Sequence, residues 1–147
     1  MEGKAVKDSM ATLARTMFPT DANAAGNVFG GAILREVDEI AGIVAKRHTR
    51  SNVVTASIDH MNFLAPVYVG DLLILDARIN CTGRTSMEVE VEIRAEDLDT
   101  GEVRAVGNSF LTMVASPFNW IYPKHVLEEK GDMTRVVMGT GPFKLKE

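Results

Sequence analysis

Residues 26–48 read GNVFGGAILREVDEIAGIVAKRH. At about 100° per residue, this run has the period of one long amphipathic helix. Ile33, Val37, Ile40 and Val44 make an aliphatic stripe. Gly31, Leu34, Ala41, Gly42 and Ala45 fall within about 60° of Asp38 and adjoin that stripe. Arg35, Glu36, Glu39, Lys46 and Arg47 take the other, solvated side. Asp38 is therefore expected among small and apolar residues, apart from the other charges. Burying a carboxylate is costly unless it is paired or hydrogen-bonded. Two roles fit it: chemistry, for which perturbed carboxylates are suited, or a partner-bonded side chain that tightens helix packing.

Outward from the helix, the pattern changes to strands. Residues 11–18 form a short first strand ended by Pro19. The stretch Pro19-Thr20-Asp21-Ala22-Asn23 is turn chemistry leading to the helix, which spans about residues 29–46. Residues 52–64 and 72–81 are rich in strand formers, separated by Pro66 and the turn signal Gly70-Asp71. Residues 86–96 alternate cleanly: Met87, Val89, Val91 and Ile93 on one face, Glu88, Glu90, Glu92 and Arg94 on the other. The turn Asp99-Thr100-Gly101 leads to a last strand, residues 102–115. The class is α+β, with one domain at 11–116, a loose N-terminus at 1–10 and a C-terminal extension at 117–147. That extension holds Phe118, Trp120, Ile121 and Tyr122, then a short helix at 126–130.

Four strands in a meander after one helix should be antiparallel and curl around that helix. Such a sheet keeps an exposed edge and leaves part of the helix uncovered. A second copy of the chain satisfies both, so at least a homodimer is expected.

Composition narrows the partners. The 147 residues suit one domain, and a net charge of −4 argues against a nucleic-acid partner. No segment approaches the roughly 20 uninterrupted apolar residues of a membrane span. The first ten residues lack the apolar run of a secretory signal. Cys81 is the single cysteine, which excludes an intrachain disulfide and fits a reducing cytoplasm. It is expected as a buried structural thiol. No metal-ligand spacing exists, and His48, His60 and His125 read as structural or solvated. The eight methionines read mostly as core. Asp59 and Asp71 read as carboxylates paired to backbone or arginine.

Three segments then come together. The first is Pro19…Asn23…Gly26-Asn27-Val28-Phe29-Gly30-Gly31…Asp38-Glu39…Ala41-Gly42. The second is Phe63-Leu64-Ala65-Pro66-Val67…Val69-Gly70-Asp71. The third is Gly83-Arg84-Thr85-Ser86-Met87. In this order they resemble the hotdog-fold acyl-CoA thioesterases, in the subgroup of cytosolic acyl-CoA hydrolases, over residues 11–116. The resemblance implies a hotdog fold, a long central helix wrapped by a curved antiparallel sheet. It also implies hydrolysis of acyl-CoA to fatty acid and coenzyme A. Asp38 is then the general base or nucleophile, and Asn27 holds the water or the carbonyl. Arg84, Thr85 and Ser86 form a turn that contacts coenzyme A. Coenzyme A is part of the substrate and a product, with no separate cofactor, and relatives form tetramers or hexamers.

The residues themselves support part of this. Gly30 and Gly31 open the helix, where backbone N–H groups lack partners and the dipole is positive, so they suit an oxyanion. They also suit plain close packing. Asn27 suits a helix cap equally well. Gly31 and Asp38 stand about 10 Å apart along the axis. Either a further residue completes the site, or Asp38 of one subunit meets Asn27 and Gly31 of another. Two other functions remain open: a non-catalytic acyl-CoA-binding protein, and a hotdog dehydratase acting on acyl thioesters. The dehydratases resembled carry a helix histidine, and this helix has none before His48.

Overall fold

The computed structural model describes residues 5–115. It contains strand β1 (Ala11–Thr16), helix α1 (Gly30–Thr49), β2 (Val53–Phe63), β3 (Leu72–Thr82), β4 (Ser86–Glu96) and β5 (Val103–Ala115). The expected C-terminal extension, with its aromatic cluster and short helix, lies outside the described residues. The five strands make one antiparallel sheet in the order β1-β3-β4-β5-β2.

The sheet is not the expected four-stranded meander. Only β3, β4 and β5 form the meander; β2 does not pair with β3 but lies beyond β5 at the far edge. The connection from β2 to β3 is pinned as it crosses to the other side of the sheet. The Val28 amide donates to the Val67 carbonyl at 2.9 Å, and Asn27 bridges Tyr68. Arg104 donates to the Pro66 carbonyl at 3.2 Å, pairs with Asp71 and lies 5.0 Å over the Tyr68 ring. The Asp71 carboxylate also accepts from the Tyr68 amide at 2.6 Å. The pairing of Asp71 to backbone and arginine is as the sequence suggests.

The helix lays Val37, Ile40, Ala41, Val44 and Ala45, all at 0% exposure, on the buried face of the sheet. Leu73 and Leu75 of β3, Val89 and Val91 of β4 and Leu111 of β5 complete that core. The alternation read in β4 is the one observed, with Met87, Val89, Val91 and Ile93 inward. Ala41 and Ala45 face their own sheet, so the face carrying Asp38 keeps Gly31 exposed and Leu34 and Gly42 half-buried. At the helix end, Arg50 adopts a left-handed conformation (φ 55°), and its amide caps the Lys46 carbonyl at 2.9 Å.

The N-terminus is not wholly loose. Val6–Asp8 form a 3-10 turn. Ser9 is fully buried, with its Oγ 2.9 Å from Nδ1 of His48. Cys81 is exposed near the end of β3, not buried. The alternation of β3 ends at Asn80, after a register shift between Ile79 and Cys81 turns the strand away from the core.

Gly107 permits the edge pairing. A Cβ there would lie 1.9 Å from the Asn62 carbonyl oxygen of β2. Because the obstacle is backbone, relief requires β2 to move. Gly107→Ala is expected to lose about 1–3 kcal/mol of stability by overpacking, measured by urea unfolding.

Candidate active site

The loop that precedes α1 is built around Asn23. Its Oδ1 accepts from the amides of Ala25 (2.9 Å) and Asn27 (3.3 Å). Its own amide donates to the Asn27 carbonyl at 2.7 Å. This turn uses the carbonyl end of the side chain and leaves Nδ2 as its available donor. Asn23 lines two clefts at the helix start. One, of about 670 Å³, includes Thr20, Gly31 and Arg35. The other, of about 370 Å³, is mainly apolar and includes Asn27, Gly30, Ile33, Phe63 and Leu64.

The helix begins without a side-chain cap. Phe29 is the N-cap residue and Asn27 lies two positions earlier, so Asn27 does not have the capping role. The Gly30 and Gly31 amides precede any intrahelical acceptor, as in every helix. The Phe63 ring covers Gly30: a Cβ there would meet Phe63 Cζ at 3.4 Å. The Phe29 ring covers Gly31 in the same manner. Both rings are more than half exposed.

Asp38 is exposed in the protomer, contrary to the burial expected from its neighbours on the wheel. It stands about 100° around the helix from buried Val37, at the flank where the sheet ends in edge strand β2. There its Oδ1 accepts from the Thr55 hydroxyl at 2.5 Å. Glu36 is the reverse case. It was expected in solvent and is 4% exposed. It lies on the flank facing β1, whose Arg15 reaches it at 3.1 Å. Arg35 pairs with the same oxygen at 2.8 Å.

The expected site residues fall into two groups. Asn27, Gly30 and Gly31 gather with Asn23 at the helix start, beside the Phe63 end of β2. Asp38 and Thr55 belong toward the other end of that strand. The Arg84-Thr85-Ser86 turn lies at the same end, where the Thr85 carbonyl accepts from the Ala115 amide at 2.9 Å and Ala115 pairs with Val53. One protomer does not bring the two groups together. Among the described residues, no cluster of three or more His, Cys, Asp or Glu is set to hold a metal. No helix among them is long and apolar enough to cross a membrane.

A family model described as the thioesterase superfamily matches residues 25–102. A Bacillus subtilis protein named as an uncharacterized acyl-CoA thioester hydrolase is 39% identical over 118 residues, covering 80% of this chain and 69% of that one. The chain belongs to the thioesterase superfamily. Its fold is the hotdog fold of that family. The chain spans 50% and 30% of the length of two other curated relatives it matches. A solved apo-hexameric acyl-CoA thioesterase is 44% identical with a TM-score of 0.76, covering 78% of this chain and 74% of that one. A Staphylococcus aureus acyl-CoA hydrolase solved with butyryl coenzyme A is 38% identical with a TM-score of 0.74, covering 78% and 70%.

That Staphylococcus enzyme has also been solved with an aspartate, an asparagine or a threonine replaced by alanine. The spacings between those three positions equal the spacings between Asn23, Asp38 and Thr55 here. Asn27 does not keep that spacing. The sequence marks Asn23 only as turn chemistry within the first of the three matched segments, and Thr55 only as an ordinary strand threonine, with no role for either. The signal available for Asn23 was its place at the head of a turn that ends at the helix start.

Asp21, beside this loop, is 8% exposed. The Phe18 amide (2.9 Å) and then Arg15 hold its carboxyl below the ordinary aspartate range, against burial, which acts the other way. A carboxyl lowered in the folded state adds stability above its unfolded pKa, near 4, and loses it as pH falls through the folded value. Asp21→Asn should therefore cost about 1.5–3 kcal/mol at neutral pH. Thermal melts should show that deficit shrinking below about pH 4.

Proposed function

We propose that this chain is an acyl-CoA thioester hydrolase acting as a dimer or larger homo-oligomer. The observation that carries this reading is the Asp38 carboxylate bonded to Thr55, in a thioesterase-superfamily chain that also holds Asn23 at the matching spacing. Thr55 occupies one carboxylate oxygen, which leaves the other to take a proton from water. That water attacks the thioester carbon. The developing oxyanion is held by the Gly30 and Gly31 amides, with Nδ2 of Asn23 or the side chain of Asn27 as a further donor. The tetrahedral intermediate expels the coenzyme A thiolate, which takes up the proton, and the carboxylic acid remains. Were Asp38 the nucleophile instead, its attack would expel the thiolate and leave an acyl-aspartyl anhydride, and a single turnover in ¹⁸O-water would label Asp38 where water opens that anhydride at the aspartyl carbonyl.

The two separated groups of site residues favour a site shared between subunits. The open edge of β2 and the uncovered face around Asp38 are where a second copy fits. Arg84 would then meet coenzyme A phosphates, with Thr85 and Ser86 on the pantetheine, at a site completed by the other protomer. Coenzyme A enters as part of the substrate, and no other cofactor is required. A cytoplasmic setting agrees with the exposed thiol of Cys81.

The test is release of free coenzyme A from acyl-CoA, read with a thiol reagent. Binding without release would favour a non-catalytic acyl-CoA-binding protein, and hydration or dehydration of an acyl thioester would favour the dehydratase. Asp38→Asn should lose about 10²–10⁴-fold in turnover while staying folded; near-normal kcat would sink the assignment. Mixed Asn23→Ala and Asp38→Ala chains should regain activity after subunit exchange, toward half of normal per mixed dimer, whereas no recovery would place both residues in one chain's site. Ala41 and Ala45 are spent on the protomer's own core, so a helix contact between subunits would fall on Gly42, beside which an added Cβ meets nothing within 4 Å in the protomer. Gly42→Trp should shift the light-scattering mass toward monomer.

A further inference from the structure

Arg15 joins three elements that the hydrolysis mechanism above leaves unconnected. Its Nη2 donates to both carboxylate oxygens of Asp21 at 3.1 Å, and its Nη1 donates to Oε1 of Glu36 at 3.1 Å. Asp21 in turn holds both ends of the loop before the helix. Its carboxylate accepts from the Phe18 amide at 2.9 Å, and its carbonyl accepts from the Phe29 amide at 2.8 Å. Between those ends sits Asn23, whose Oδ1 is committed to two loop amides. The direction of Nδ2 is thereby set by the backbone of the loop, and the position of the loop by Asp21.

We propose that Arg15 is a positioning residue for hydrolysis: by gripping Asp21 and Glu36 together, it fixes the Asn23 loop against the helix that carries Asp38. The proposal rests on the hydrolytic reading above. A buried ionic network is a poor source of stability, because apolar side chains of similar volume often serve as well or better. Here two carboxylates are 4% and 8% exposed and held by arginines from β1 and α1. What such a network supplies that apolar packing does not is a fixed geometry between its members. Only a planar fork with several donors grips two carboxylates in this way. A lysine ammonium is a point charge and cannot reproduce it.

The experiment compares the full-length oligomeric protein with Arg15→Lys, by steady-state kinetics and by amide hydrogen exchange read by mass spectrometry. The expected result is a kcat lower by about 10- to 100-fold, the scale of a small misplacement in a reacting site, with KM within about twofold. Exchange should quicken over residues 19–29 and stay unchanged in β3, β4 and β5. A kcat within about twofold of the unmodified protein, in a folded and oligomeric variant, overturns the proposal. So does a change confined to KM, or unchanged exchange over 19–29. If Arg15→Lys does not fold, Glu36→Met, which keeps the volume and removes the acceptor oxygen, takes its place with the same kcat-selective loss expected; unchanged kcat there overturns the proposal too. If the unmodified chain releases no coenzyme A, the hydrolytic reading fails, and the exchange measurement still decides whether Arg15 holds the loop.

Discussion

The structure depends on how one helix is seated between the two edges of one sheet. Val37 points straight into the core, and its neighbours Glu36 and Asp38 stand about 100° to either side. Glu36 meets Arg15 of β1, and Asp38 meets Thr55 of β2. These strands are the two edges of the sheet. The aliphatic stripe supplies the burial that drives the helix onto the sheet, but burial is not directional. The two flanking polar contacts restrict its rotation, and both require the sheet to curve up around it. A rotation that buried Asp38 would lift Glu36 out of its pairing.

This geometry explains what the sequence made legible. Helix and strands were readable because their periods differ and because Pro, Gly and Asp punctuate them. The stripe from Ile33 to Val44 located the core correctly. A helical wheel, however, gives angles within the helix and says nothing of what flanks it. It therefore misjudged both carboxylates beside Val37: a long-range arginine buries Glu36, and the end of the sheet exposes Asp38. The place of β2 was lost for a similar reason. A strand's partner depends on contacts distant in sequence, here Gly107 making room for the Asn62 carbonyl. Local turn chemistry does not contain them.

The candidate site shows the same division. Gly30, Gly31 and Asp38 could be named as candidates from the sequence, because their place at the helix start and on one helix face is a local property. A role for Asn23 was hidden, because an asparagine that bonds its own turn looks like any other turn asparagine. Its distinguishing property is the end of the side chain left unused, which only the hydrogen-bond pattern reveals. Thr55 was hidden by a strand whose pattern is not disturbed by a hydroxyl at one position.

The uncapped start of α1 has a thermodynamic consequence. Most helices meet their first amides with a serine, threonine or aspartate oxygen, and that bond contributes about 1 kcal/mol. Here Phe29 offers no such oxygen. Any carbonyl or carboxylate oxygen that settles on the Gly30 and Gly31 amides is chemically the missing cap. Under the proposed mechanism, an acyl group held there would act as part of the helix, and its occupancy would raise the melting temperature by mass action. Resistance to unfolding in a chain that works this way would depend on how much ligand surrounds it.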